Sequence, residues 1–136
     1  MNDLVLKPIA EATYLTVENA WRYRAILRYF YEQHERIRQF LFPDEIYQFL
    51  KQSEAFRGYT TEMLQTDLDQ LVKWKNIIPR QETGRVRTIK EFKKKRFRYQ
   101  CSPYTVEIER MVKALENMGG SFGGSLEKTL FDRLYE

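Results

Sequence analysis

The stretch "IIPRQETGRVRTIKEFKKKRFRYQC", residues 77–101, decides the fold. Upstream of it apolar residues recur at three- and four-residue steps; within it the period shortens to two. IIPRQ and RVRTI are short and β-leaning, joined by Glu82-Thr83-Gly84, whose glycine can supply a positive φ. KEFKKK has room for one helical turn. RFRYQC then sets Phe97, Tyr99 and Cys101 against Arg96, Arg98 and Gln100, the alternation of a half-buried strand. Pro79 cannot donate to a central ladder, so its strand belongs at an edge or ends there.

Three helices are expected before this hairpin. Residues 1–13 read as an irregular arm, with Pro8 restricting Lys7 to extended backbone. Thr16 stands as an N-cap and Glu18 supplies first-turn negative charge. In VENAWRYRAILRYFYEQHERIRQFL (17–41), Ala20, Tyr23, Ile26, Leu27, Phe30, His34 and Ile37 keep helical spacing. Pro43 introduces a short second helix, EIYQFLKQ, with Ile46, Phe49 and Leu50 facing inward. After a turn at Gly58, Thr60 or Thr61 caps a third helix, whose stripe is Met63, Leu64, Leu68, Leu71 and Val72.

Beyond the hairpin, Ser102-Pro103 starts a fourth helix that runs to Met118. GGSFGGS (119–125) reads as a hinge. SLEKTLFDRLYE then places Leu126, Leu130 and Leu134 four apart with Phe131 beside them, and breaks off with no Gly or Pro to stop a helix. The expectation is the front piece of a longer protein. Its fold class is mainly α (α+β): an arm (1–13), a winged-helix domain (14–118) with 77–101 as an enlarged basic β-hairpin wing, a hinge (119–125) and the start of a helical segment (126–136).

Charge is the strongest functional signal. The chain of 136 residues carries +4 overall, but residues 80–98 hold nine Lys and Arg against two Glu. That local +7 leaves −3 for the remainder, so a partner drawn by charge meets the hairpin. With 43% hydrophobic, 31% charged and 15% aromatic residues, the chain has the composition of one globular domain. The lone Cys101 rules out an internal disulfide and fits a reducing compartment. No basic, apolar leader opens the chain, and no run approaches the roughly 20 apolar residues of a membrane span. The expected location is the cytoplasm, with no membrane partner.

An enzyme is the weakest reading. The only histidine, His34, lies on the apolar face of the first long helix, Cys101 ends a strand as a small buried hydrophobe, and GGSFGGS lacks the ending of a phosphate-cradling loop. No catalytic, cofactor or metal residues are assigned. The candidate phosphate contacts are Arg85, Arg87, Lys90, Lys93, Lys94, Lys95, Arg96 and Arg98, which add salt-dependent affinity and almost no sequence information. A solvated hairpin whose lysines block edge pairing, or a wing docked on an acidic protein, are the competing readings. The third helix is a poor base reader, because Glu62, Asp67 and Asp69 are expected outward, leaving Gln65 and Gln70. Candidate protein-interface residues are Trp21, Tyr29, Tyr31, Leu126, Leu130, Phe131 and Leu134; Trp74 is expected in the core at the root of the hairpin.

"YLTVENAWRYRAILRYFY", "LDQLVKWKNI" and "TGRVRTIKEFKKKRFRYQ", in that order and spacing, resemble the front of the JetA family of Wadjet systems, kleisins similar to MukF. The matching positions are Tyr14, Leu15, Thr16, Glu18, Asn19, Tyr23 and Arg24, then Trp74 and Asn76, then Arg85, Val86, Phe92, Arg96, Tyr99 and Gln100. Lys75 departs from the Gly or small residue expected there, and Cys101-Ser102-Pro103 replaces a Leu-Thr turn. The resemblance implies a non-enzymatic scaffold with no cofactor. Its winged helix forms a homodimer, and the helix from Leu126 begins a segment that meets the neck of an SMC-type ATPase. A MukE-like subunit and non-specific double-stranded DNA are the other implied partners, in defence against plasmids. The alternative is a stand-alone winged-helix transcriptional regulator.

Overall fold

The computed structural model describes residues 1–81 and 97–119. It is an α+β fold, helices packed on one three-stranded antiparallel sheet. The 1–13 arm is not irregular throughout: Asp3–Leu6 form a one-turn helix, α1, capped by the Asn2 side chain, and Ala10–Leu15 form a 3-10 helix. Tyr14 explains the second turn. Its ring is wholly buried and its hydroxyl donates to Glu109, which draws this stretch of chain into the core. Thr16 therefore closes the 3-10 turn and does not cap the long helix. That helix, α2, begins at Ala20 behind Asn19 and runs to Glu35, with Ile26, Leu27, Phe30 and Tyr31 buried.

The apolar period of α2 continues in sequence to Ile37 and Phe40, but the helix does not. Ile37 N–H bonds the His34 carbonyl at 2.9 Å and Arg38 N–H the Gln33 carbonyl at 2.8 Å, the paired bonds of a Schellman cap. Such a cap places its last residue in the left-handed region, and Ile37 sits there with φ 65° and 86% exposed. A β-branched residue is a poor occupant of that region, at a cost of about 1–2 kcal/mol. Ile37→Gly is accordingly expected to raise stability by roughly 1 kcal/mol in a urea titration; a loss of stability would show that the Ile37 side chain contributes packing.

Released from the helix, Phe40–Leu41 form β1. Helix α3 spans Pro43–Leu50, with Glu45 accepting from Phe42 N–H at 2.8 Å and Ile46 and Leu50 buried; Phe49, expected inward, is 36% exposed and stacks on Tyr29. Helix α4 spans Thr61–Lys73, capped by Thr60, and buries Leu64, Leu68 and Leu71, whereas Met63 is 37% exposed. A second Schellman cap ends it, with Lys75 at φ 64°.

Strand β2, Ile77–Gln81, pairs with β3, Phe97–Cys101, and β3 pairs on its other side with β1, giving the order β1-β3-β2. Pro79 thus lies on an edge strand, as its missing N–H requires. Leu41, Ile77, Tyr99 and Cys101 turn inward and are buried. Burial pushes the Cys101 thiol up to about 12, which leaves it an inert packing group. Helix α5, Pro103–Met118, starts at a Ser102 cap and packs against α2. The RVRTI strand, the KEFKKK turn, and the segment from residue 120 onward, including the helix expected from 126, lie outside the described residues. No helix among the described residues is long and apolar enough to cross a membrane.

Candidate nucleic-acid interface

Pleating assigns the sheet residues to two faces. With Tyr99 and Cys101 turned inward, Arg98 and Gln100 point outward, and the register sets Ile78 and Phe40 beside Gln100 and Arg80 directly opposite Arg98. Like charges opposed across antiparallel strands repel, at a cost of up to roughly 1 kcal/mol. The Arg98 guanidinium lies over the Phe40 ring, 4.3 Å from its centroid, and Arg80 is exposed. Among the described residues no carboxylate pairs with either arginine. Among the described residues the two arginines thus stand opposite each other in the register with no carboxylate partner, an arrangement open to an external oxyanion.

This pair stands at the root of the basic segment, whose flanking residues Gln81 and Phe97 face each other in the register. Of the eight candidate phosphate contacts, only Arg98 is among the described residues; Arg85, Arg87, Lys90, Lys93, Lys94, Lys95 and Arg96 lie outside them. Sequence reasoning counted Arg80 in the charge cluster but missed its opposition to Arg98. It also missed Phe40, placed on the tail of a helix; only the β1–β3 register reveals that role.

Helix α4 offers little to a base edge. Asp67 does not point outward: it is 1% exposed, accepting from Arg22 Nη2 at 3.0 Å and from the Tyr59 hydroxyl at 2.6 Å. Burial, and then this carboxylate, push the Tyr59 phenol upward, so it stays a donor. The Gln65 amide donates to Asp69 at 2.9 Å and to the Tyr99 hydroxyl at 3.2 Å. Bonds from its own backbone N–H and from the Thr61 and Thr60 hydroxyls hold the Glu62 carboxyl below its usual range, keeping a negative charge at the start of the helix. Among the described residues no group of three or more His, Cys, Asp or Glu is placed to hold a metal.

The aromatic candidates fare differently from one another. Trp21 is 49% exposed and tilts over Phe56 at 5.1 Å. Tyr29 is half-buried and stacks on Phe49 at 4.1 Å. Tyr31 is a core residue, 6% exposed, and is withdrawn as an interface candidate, because α2 buries two adjacent rows, one of them carrying Leu27 and Tyr31. Trp74 packs edge-to-face with Tyr23 at 5.0 Å, as expected of a residue at the hairpin root. Leu126, Leu130, Phe131 and Leu134 lie outside the described residues.

The family described as "Protein of unknown function (DUF2397)" matches residues 12–136, and the chain belongs to it. Neither the curated proteins nor the solved structures contain a match.

Proposed function

We propose that this DUF2397 chain is the front of a kleisin-type scaffold subunit, non-enzymatic and cytoplasmic, that touches double-stranded DNA through its phosphates. In this reading the domain is a winged helix, with α4 in the position of a recognition helix and β2–β3 as the root of the wing. It forms a homodimer, assembles with an SMC-type ATPase and a MukE-like partner, and serves in defence against plasmids. The observation that carries the DNA contact is the opposed pair Arg80 and Arg98 at the base of a +7 segment. Its counterpart is an α4 surface with Glu62 and Asp69 exposed and Gln65 already bonded. Cations without a free reading helix bind phosphate and ignore sequence.

Titration of unrelated fluorescent duplexes at two salt concentrations tests this. Expected is weak, sequence-blind binding whose logarithmic salt slope reports about 0.9 per neutralised phosphate. Joint replacement of Lys93, Lys94 and Lys95 by Glu should abolish it; an unchanged titration would return the hairpin to a solvated surface. Tight binding that discriminates among duplexes would instead identify a transcriptional regulator.

A further inference from the structure

Phe40 reaches the basic hairpin through the pleat of the sheet. It lies directly across from Gln100 on β3, and Arg98, two residues earlier on the same face, is its diagonal neighbour. A long side chain spans that diagonal, and the guanidinium carbon of Arg98 settles 4.3 Å from the centroid of the half-buried Phe40 ring. The other cation–ring contacts among the described residues, Arg22 over Tyr59, Lys51 over Tyr47 and Lys113 over Tyr31, stand at 6.0, 5.8 and 6.0 Å, near the outer limit for such contacts. Arg22 also donates to Asp67, and Lys51 to the carbonyls of Phe56, Arg57 and Tyr59. Arg98 is held differently. Its Nε is shut from solvent without an acceptor, and the residue opposite it on β2 is the like charge Arg80.

We propose that Phe40 is the positioning residue of the phosphate contact: its ring fixes the Arg98 guanidinium beside Arg80, so that both cations meet one stretch of DNA backbone. An aromatic face attracts the flat guanidinium without accepting its N–H groups, so the ion is held and its donors stay available. With Nε closed off, the four N–H groups on Nη1 and Nη2 are what Arg98 offers an oxyanion. An arginine left free opposite another would swing away from it and would lose side-chain freedom on binding; the ring meets that ordering cost in advance. The ligand is the phosphodiester itself. The ring is occupied by the guanidinium, so Phe40 tunes affinity for every duplex equally and reads no base. The inference rests on the DNA contact proposed above and names what orients it, a residue of β1 outside the basic hairpin.

The test titrates the full chain with fluorescent duplexes of two unrelated sequences at two salt concentrations, comparing wild type, Phe40→Leu, Phe40→Tyr, Arg98→Ala and the Phe40→Leu/Arg98→Ala double variant. Phe40→Leu is expected to weaken binding about two- to fivefold, the worth of an exposed cation–ring contact, and equally on both duplexes. Phe40→Tyr keeps a ring face and should recover that loss. Arg98→Ala should lower the logarithmic salt slope by about 0.9, one phosphate contact, and in its background Phe40→Leu should have no further effect. A Phe40 that acted only on the fold would weaken binding in either background. Phe40→Leu binding like the wild type, the same loss with and without Arg98, or an Arg98→Ala slope that does not move, overturns the positioning role and leaves the DNA contact of the hairpin standing. A wild type that binds neither duplex at either salt concentration overturns both.

Discussion

Glu109→Ala is expected to lower the unfolding free energy by about 3–5 kcal/mol, the cost of leaving one member of a buried ion pair without the other. Glu109 is 1% exposed, and two partners satisfy it: the Tyr14 hydroxyl and Arg28 Nε, the latter at 2.9 Å. Removing the carboxylate orphans both. Arg28 also holds each oxygen of Glu116 at 2.8 Å, and Arg24 reaches Glu116 at 2.7 Å, so one network ties the N-terminal turn, α2 and α5 together. Burial, reinforced by Glu109, pushes the Tyr14 phenol upward, which keeps it a donor across the working pH range. Glu116, at 39% side-chain exposure, supplies the control: Glu116→Ala should cost less than about 1 kcal/mol. Urea midpoints at unchanged slope measure both. A Glu109→Ala loss no larger than that of Glu116→Ala would mean that the buried network contributes no more than a surface pair.

Asp67→Ala is expected to cost about 3 kcal/mol by the same physics, since it leaves the half-buried Arg22 and the buried Tyr59 hydroxyl without their acceptor. The two ways of placing Asp67 make opposite forecasts. An outward Asp67 would repel phosphate, so its removal would tighten DNA binding and spare stability. The buried Asp67 gives a protein of lower stability whose remaining folded fraction binds DNA unchanged. A double-mutant cycle with Tyr59→Phe should return a coupling of roughly 1 kcal/mol or more, because the two groups share one bond. Zero coupling would detach Tyr59 from the cost.

Features governed by neighbouring residues were legible in the sequence. Thr60 and Ser102 cap their helices because a hydroxyl needs only an amide three residues on; Pro79 lies on an edge because it lacks an N–H; Cys101 is buried because it alternates with Gln100. The errors came where a distant partner decides. Asp67 looks like a surface charge until Arg22, 45 residues earlier, is placed against it. Phe40 continues a helical stripe until β3, 60 residues later, offers it Gln100 as a partner. Helix α2 ends at Glu35 through the backbone bonds of the cap at Ile37 and Arg38, with no Gly or Pro to announce it. Lys75 takes a φ of 64°, a conformation that favours Gly, and nothing in its neighbours announces it. At the candidate site the charge was legible from composition, whereas the pairing of Arg80 with Arg98 needed the register.

The bond between Tyr14 and Glu109 also sets a clock on synthesis. It spans 95 residues, and a ribosome adding about 5–20 residues per second needs roughly 5–20 seconds to supply the second partner. Strand β3 arrives almost as late, and among the described residues β1 and β2 each pair only with it. Until then α2, α3 and α4 can pack on one another but lack the cover that β3 and α5 supply. Nascent chains halted before Cys101 should therefore be chaperone clients and sensitive to protease, and protection should appear abruptly once α5 has cleared the exit tunnel.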